Sequence, residues 1–413
     1  MQNFKDKEHF CILPFSHLYF FSDGNAYPCP MLAGRDKFKL GKSSDEIEKL
    51  WNSDVLKKMR IKMINNEKII ECHNKCNLNI NSCKNHLGKE AIDKNIQAVL
   101  NTQQDGTTPL NFSIWNVYES NKCNFACTYC NGDYSNRHLN GLEIKNSFKN
   151  SNEMVSFYEK HIEVAQEVWF ASGEPALLEG TYILLDKLLE KNKNVKLRFI
   201  SNLSATEYKG RKIYELLKRF DNVTIFGSWD LDGEKGEYIR YGNSNEKTLK
   251  TIDHIHSLNL KFYLQPVISI FNIYYFYDFH KRMVSRGVLN KDSVRYYLLV
   301  GPDHYRFSIL PNKIKTLITP VLDEYANWVG ISNDYDIYPN REQPSTYIKK
   351  INHLMNTGEG GHLEYSKENN YRRLKEFFTI TQNLDIKRYG YFKFMSLYSE
   401  MYPETWLDYD NYQ

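Results

Sequence analysis

The run Cys123-Asn-Phe-Ala-Cys127-Thr-Tyr-Cys130 brings three thiols into eight residues, directly after a stretch that reads as a β-strand. All eight cysteines of the 413-residue chain lie before residue 131. Residues Met1 to Phe10 mix Lys with Asp and Glu before any apolar run, and no later apolar stretch reaches the length of a membrane span, so a cytoplasmic protein with no membrane partner is expected. In such a chain clustered thiols point to metal or redox chemistry rather than to a disulfide framework. Three thiolates hold three irons of a four-iron cube and leave the fourth open to another ligand. A structural zinc site takes a fourth protein ligand close by. The net charge of +4 comes without a basic block, which gives no signal for nucleic acid or an anionic surface.

The length exceeds what one hydrophobic core normally organises. Residues 1–100 hold five cysteines and two expected helices, around Asp45–Asn65 and Lys89–Leu100. Residues 101–109, Asn-Thr-Gln-Gln-Asp-Gly-Thr-Thr-Pro, read as a linker because they favour turns and carry few apolar side chains. From 110 to 301 strand and helix patterns alternate, as in βα units around a parallel sheet. Val195, Leu197 and Phe199 alternate as a strand, and Ile213, Leu216, Leu217 and Phe220 repeat at helical spacing. Strands are expected near 111–121, 167–171, 195–201, 222–228, 261–268 and 294–300. Residues 302–413 read as a helical, Tyr- and Phe-rich extension broken at Gly358-Glu-Gly-Gly361.

The cysteine run resembles the signature of the radical SAM superfamily. That resemblance implies a partial (β/α)6 barrel related to the TIM barrel. It also implies a [4Fe-4S] cluster on Cys123, Cys127 and Cys130 whose open iron binds S-adenosylmethionine, with reductive cleavage to a 5′-deoxyadenosyl radical. In parallel α/β folds active sites gather at the carboxyl ends of the strands, and the matching motifs fall there. Ser172-Gly173-Glu174-Pro175 is similar to the family's Gly-Gly-Glu-Pro element, which receives the ammonium of S-adenosylmethionine. Asn202 and Ser228 end the third and fourth strands, where hydrogen bonds to the ribose or methionine part are implied. Arg240 matches an arginine that pairs with the carboxylate, and Tyr129 sits where relatives place an aromatic residue against adenine. Read singly, these residues are equally a turn, two helix N-caps, a salt bridge and a packed ring.

Cys11, Gly24 and Cys29 read as a hairpin with Asp23-Gly24 at its tip, and Cys72, Cys76 and Cys83 follow a helical segment. This layout resembles the SPASM/Twitch auxiliary-cluster domains, and its place before the barrel resembles Twitch domain-containing radical SAM proteins. Likeness extends to Leu310-Pro311 with Lys315 and to Leu384-Asp385 through Pro403-Glu404. The resemblance implies a second [4Fe-4S] cluster on Cys11, Cys29, Cys72 and Cys76, with Cys83 as spare or substitute. A four-cysteine zinc ribbon uses the same ligands. The late pair has three intervening residues where relatives usually have two, and Leu231 stands where a glycine is usual. The implied activity is hydrogen abstraction from a peptide, protein or sugar, with net oxidation assisted by the second cluster and electrons from a donor such as flavodoxin or ferredoxin. The alternative is a binding module with a zinc-stapled amino-terminal domain and a silent barrel.

Overall fold

The computed structural model describes residue 4 and residues 7–72, 83–139, 143–299, 301–331, 343–357 and 367–402. Cys76, the 358–361 loop, Pro403-Glu404 and the Cys83 side chain lie outside the described residues. Two compact units account for the chain. The first takes residues up to Ala126, Cys130–Ser228 and Gly242–Leu264; the second takes Cys127–Tyr129, Trp229–Tyr241 and the chain from Gln265 onward.

The first unit is built on one sheet. Its strands are β1 (His17–Phe20), β2 (Asn25–Tyr27), β3 (Gly41–Lys42), β4 (Ile114–Val117), β5 (Glu167–Phe170), β6 (Lys196–Ser201), β9 (Val223–Gly227) and β10 (Lys261–Leu264), while β7 (Glu207–Tyr208) and β8 (Arg211–Lys212) form a separate short hairpin. The spatial order is β10-β9-β6-β5-β4-β1-β2-β3. Strands β1, β4, β5, β6, β9 and β10 run parallel, and β2 and β3 are antiparallel additions at one edge. Parallel neighbours need crossovers, which helices Ser151–Glu159 and Glu179–Lys191 supply between β4, β5 and β6. Period-two alternation sets the faces: Val168, Phe170, Leu197 and Phe199 are buried on one side, while Trp169 and Arg198 share the other. The result is the open, mostly parallel α/β sheet expected of a partial barrel.

Its sixth parallel strand differs from the expected one. The segment near 294–300 forms β12 (Tyr297–Leu298), which pairs in the second unit with β11 (Val267–Ile268) and not with the large sheet. The expected strand at 261–268 is cut in two between β10 and β11, where Pro266 has no amide hydrogen to extend a ladder. The sixth parallel position is filled by β1, whose Leu18 stands opposite Trp115 of β4.

The β1–β2 hairpin forms with Tyr19 opposite Tyr27, and Gly24 adopts the left-handed conformation (φ +73°) that its tip requires. The expected helix at 45–65 is two helices, Ile47–Trp51 and Asp54–Ile64. Asn52, between them, accepts from the Thr108 amide (3.2 Å) and from Arg60 Nη1 (3.0 Å). Arg60 is fully buried and also donates to the carbonyls of Pro14 (2.8 Å), Trp51 (2.7 Å) and Gly106 (3.2 Å). Residues 101–109 are thereby fastened to the helices before them. Gly106 (φ +86°) approaches so closely that a Cβ there would meet the Lys57 carbonyl at 2.3 Å.

The second unit is largely helical. Helices Asn312–Val329, Pro344–Thr357, Lys367–Tyr389 and Lys393–Tyr398 follow β12. Their aromatic side chains supply its core, with Phe394 stacked on Tyr398 at 4.7 Å and Phe377 edge-on to Phe394 at 5.0 Å.

Candidate active site

The Cys123–Cys130 loop follows β4, and its residues divide between the two units. In the first, the turn after β5 is stitched to the start of the loop: Gly173 N donates to the Ser120 carbonyl (3.1 Å) and Glu174 N to that of Lys122 (2.9 Å). A Cβ on Gly173 would lie 2.2 Å from the Lys122 carbonyl oxygen, so only glycine permits this approach. Two motifs read separately in the sequence are therefore one structure.

The Glu174 carboxylate is 1% exposed. It accepts from the Asn202 amide (2.7 Å), Ser201 Oγ (2.9 Å) and the Ala176 amide (3.3 Å), which ties the end of β5 to the end of β6. Asn202 Nδ2 in turn donates to Asn124 Oδ1 (2.9 Å) and reaches Cys123 Sγ at 3.8 Å. Ser228 N donates to the Ser201 carbonyl (2.8 Å), and the Cys123 amide to Asn136 Oδ1 (3.0 Å). Cys123, Gly173, Glu174, Asn202 and Ser228 thus belong to one hydrogen-bonded rim, and Ser172, buried, directly precedes Gly173. Asn136 joins it without having been legible in the sequence, since nothing local marks an asparagine 13 residues on as a partner of the Cys123 amide.

In the second unit Asp230 is the hub. Its buried carboxylate accepts from Tyr129 Oη (2.6 Å), Arg240 Nη2 (3.1 Å) and the Val267 amide (2.8 Å), and Arg240 Nε lies 3.0 Å away. Burial opposes the Arg240 charge, but Asp230 more than restores it and lifts the guanidinium above the ordinary arginine range. Burial also holds Tyr129 well above the usual phenol value, so Tyr129 is a neutral donor. Burial pushes the Cys127 thiol up as well, against the positive charges of Arg240 and Arg388. The Thr128 amide donates to the Ile239 carbonyl (2.8 Å) and Thr128 Oγ1 to that of Tyr238 (3.1 Å). The pairing of Asp230 with Arg240 became visible only in the fold.

Of the amino-terminal thiols, Cys29 is packed within an apolar cluster containing Tyr27, Leu32 and Phe38, and Cys11 and Cys72 lie against the same cluster. Among the described residues no three His, Cys, Asp or Glu side chains are gathered as a ready metal-ion site. The donor chemistry nevertheless fits an iron–sulfur group: three soft thiols on one short loop, with a glycine turn pressed against its start.

Residues 118–281 match the family model for the radical SAM superfamily, and residues 11–77 match that for an iron–sulfur cluster-binding domain. Residues 118–281 are thus identified as a radical SAM segment, where the cysteine run had predicted one. Solved structures similar to this chain include anSMEcpe with bound AdoMet and Cp18Cys peptide, at 16% identity and TM-score 0.40 over 52% of this chain and 60% of that one. SuiB of Streptococcus suis bound to S-adenosylmethionine is similar at 17% identity and TM-score 0.41, over 58% of this chain and 53% of that one. The chain thus spans less than two thirds of either of these structures. No curated protein matches it. Among the described residues no helix is long and apolar enough to cross a membrane.

Proposed function

We propose that this radical SAM protein is an enzyme whose Cys123, Cys127 and Cys130 hold a [4Fe-4S] cluster with S-adenosylmethionine at its open iron. When bound, that pair supplies reductive cleavage to a 5′-deoxyadenosyl radical and hydrogen abstraction from substrate. The observation that carries the reading is the backbone stitching of Gly173 and Glu174 to residues 120–122, which joins the two cofactor motifs at the carboxyl ends of β4 and β5. The chain's own part is placement. Asn202 directs an amide hydrogen at Cys123 Sγ, and a donor aimed at a ligand sulfur stabilises the thiolate. Glu174 is spent on Asn202 and Ser201, so it orders the rim, and the backbone of the 172–174 turn is the element left to meet the ammonium of S-adenosylmethionine. Arg240, neutralised by Asp230, orients the Tyr129 ring, whose centroid is 5.8 Å from the guanidinium carbon.

The amino-terminal thiols are proposed to hold a second cluster through Cys11, Cys29, Cys72 and Cys76. The substrate class is a peptide, protein or sugar, the outcome a net oxidation, and the electron donor a flavodoxin or ferredoxin. Residues 1–100, 101–109, 110–301 and 302–413 remain the proposed auxiliary, linker, barrel and extension segments. The test is anaerobic reconstitution followed by iron and zinc analysis and a dithionite-driven assay for 5′-deoxyadenosine. About eight irons per chain and product formation are expected. Four irons with stoichiometric zinc would remove the second cluster, and no 5′-deoxyadenosine would remove the enzyme.

A further inference from the structure

The helix Lys367–Tyr389 ends beside the cysteine loop, inside the second unit. Arg388 Nη1 donates to Thr128 Oγ1 at 3.4 Å, and Thr128 directly follows Cys127. The guanidinium carbon lies 4.4 Å from the centroid of Tyr241, one residue after Arg240. The next residue, Tyr389, packs edge-on to Tyr241 (5.7 Å) and stacks on Tyr238 (6.2 Å), whose carbonyl holds Thr128 Oγ1. One hydrogen bond to Thr128 and three contacts with the rings of Tyr238 and Tyr241 therefore fix the end of this helix, and Thr128 is itself bonded to the carbonyls of Tyr238 and Ile239. A cation in the last turn of a helix is also favoured by the helix dipole, which explains why arginine is tolerated there independently of the loop.

The charges around the segment are not symmetric in origin. Asp230 and Arg240 form their own buried pair. Asp385, one turn before Arg388, accepts the Phe394 amide at 2.7 Å. Arg388 brings its charge from a helix more than 250 residues away in sequence, directly to the hydroxyl beside Cys127. Reduction of a thiolate-held cluster adds negative charge, and the potential at which it occurs is set by nearby charge and by donors around the ligands.

We infer that Arg388 is a positioning residue of the cysteine loop, and that through it the carboxyl-terminal helix raises the reduction potential of the cluster on Cys123, Cys127 and Cys130. The inference rests on the function proposed above. A guanidinium held at Thr128 favours the reduced state electrostatically, and its hydrogen bond limits movement of the loop as charge is added.

The test uses full-length wild type and R388Q, R388M and R388K, reconstituted anaerobically and titrated with redox mediators. The reduced cluster is followed by low-temperature EPR and identified by the signal that changes on adding S-adenosylmethionine. R388Q and R388M are expected to keep their iron and to shift the one-electron equilibrium against reduction about tenfold, or 59 mV, while R388K stays within about threefold of wild type. R388M keeps an apolar stem against Tyr241 and carries the test if R388Q does not accumulate folded. An unmoved potential in the neutral variants overturns the inference, as does R388K shifting as far as they do. Iron binding with an unmoved potential overturns the inference alone, whereas a wild type that takes up no iron overturns the proposed function with it.

Discussion

Around Cys29 the neighbours are rings and aliphatic chains: Tyr27, Leu32 and Phe38 belong to one buried cluster, with Cys11 and Cys72 against its edge. Around Cys127 they are hydrogen bonds and charges, with Thr128 tied to Ile239 and Tyr238 and Tyr129 tied to the Asp230–Arg240 pair. Apolar packing is non-directional and tolerates small changes of shape, whereas a buried ionic network is directional and fails when one member is removed. The amino-terminal thiols are thus located by apolar packing, with Cys29 itself part of the buried core. The loop is located by a polar scaffold that must be satisfied as a whole.

The largest expected effect separates the two regions by function. Cys127→Ala should abolish 5′-deoxyadenosine formation, while Cys29→Ser should keep it and lose about half of the iron. Equal loss of cleavage in both variants would erase the distinction. Cys83→Ser should retain full iron; if it loses iron as Cys29→Ser does and Cys72→Ser does not, Cys83 replaces Cys72 in the ligand set.

Next comes the ionic network itself. Asp230→Asn leaves Arg240 buried without its carboxylate and should cost about 3–5 kcal/mol in urea unfolding of the second unit. A loss below about 1 kcal/mol would show that the network is not what holds the loop.

Acid should weaken both units through one buried histidine each. His17 Nδ1 donates to the Ile114 carbonyl (2.8 Å), and His280 Nδ1 lies 2.8 Å from Tyr325 Oη. Burial lowers each from 6.5 to about 4. Between those values the unfolded chain binds protons that the folded chain refuses, so stability is full above pH 6.5 and falls as the pH drops toward 4. Each histidine should contribute at most about 3 kcal/mol to that fall, and His280→Gln should flatten the stability profile of the second unit across the same window. A profile unchanged by the substitution would count against it.

The smallest effect is expected at the ring. Tyr129→Phe removes one donor from Asp230 but leaves Arg240 and the Val267 amide, and should cost about 1.5–3 kcal/mol, less than Asp230→Asn. The reverse order would make Tyr129 the hub.

What was legible in the sequence was legible for local reasons. Alternating Val195, Leu197 and Phe199 place β6, the Asp23-Gly24 turn places the β1–β2 hairpin, and the Cys123–Cys130 spacing marks the loop, because each pattern is complete within a few residues. The fastening of residues 101–109 was not, since it depends on a buried arginine 46 residues before Gly106. Nor was the capping of helix Glu179–Lys191: its own N-cap makes no side-chain bond, and Glu119 supplies the acceptor, taking the amides of Gly180 and Thr181 at 3.0 Å each.

By itself, then, the sequence determined the parallel βα character of the sheet and the three-thiol loop, both set by periodicity and spacing along the chain. Only the tertiary structure decided that β1 and not the 294–300 segment completes the parallel strands, that Glu174 is spent on Asn202 and Ser201, that Asp230 neutralises Arg240, and that Arg388 reaches Thr128. Each of those outcomes is a choice among hydrogen-bonding partners far apart in sequence. Burial forces every polar group to take some partner, and which one is in reach is a property of the folded chain alone.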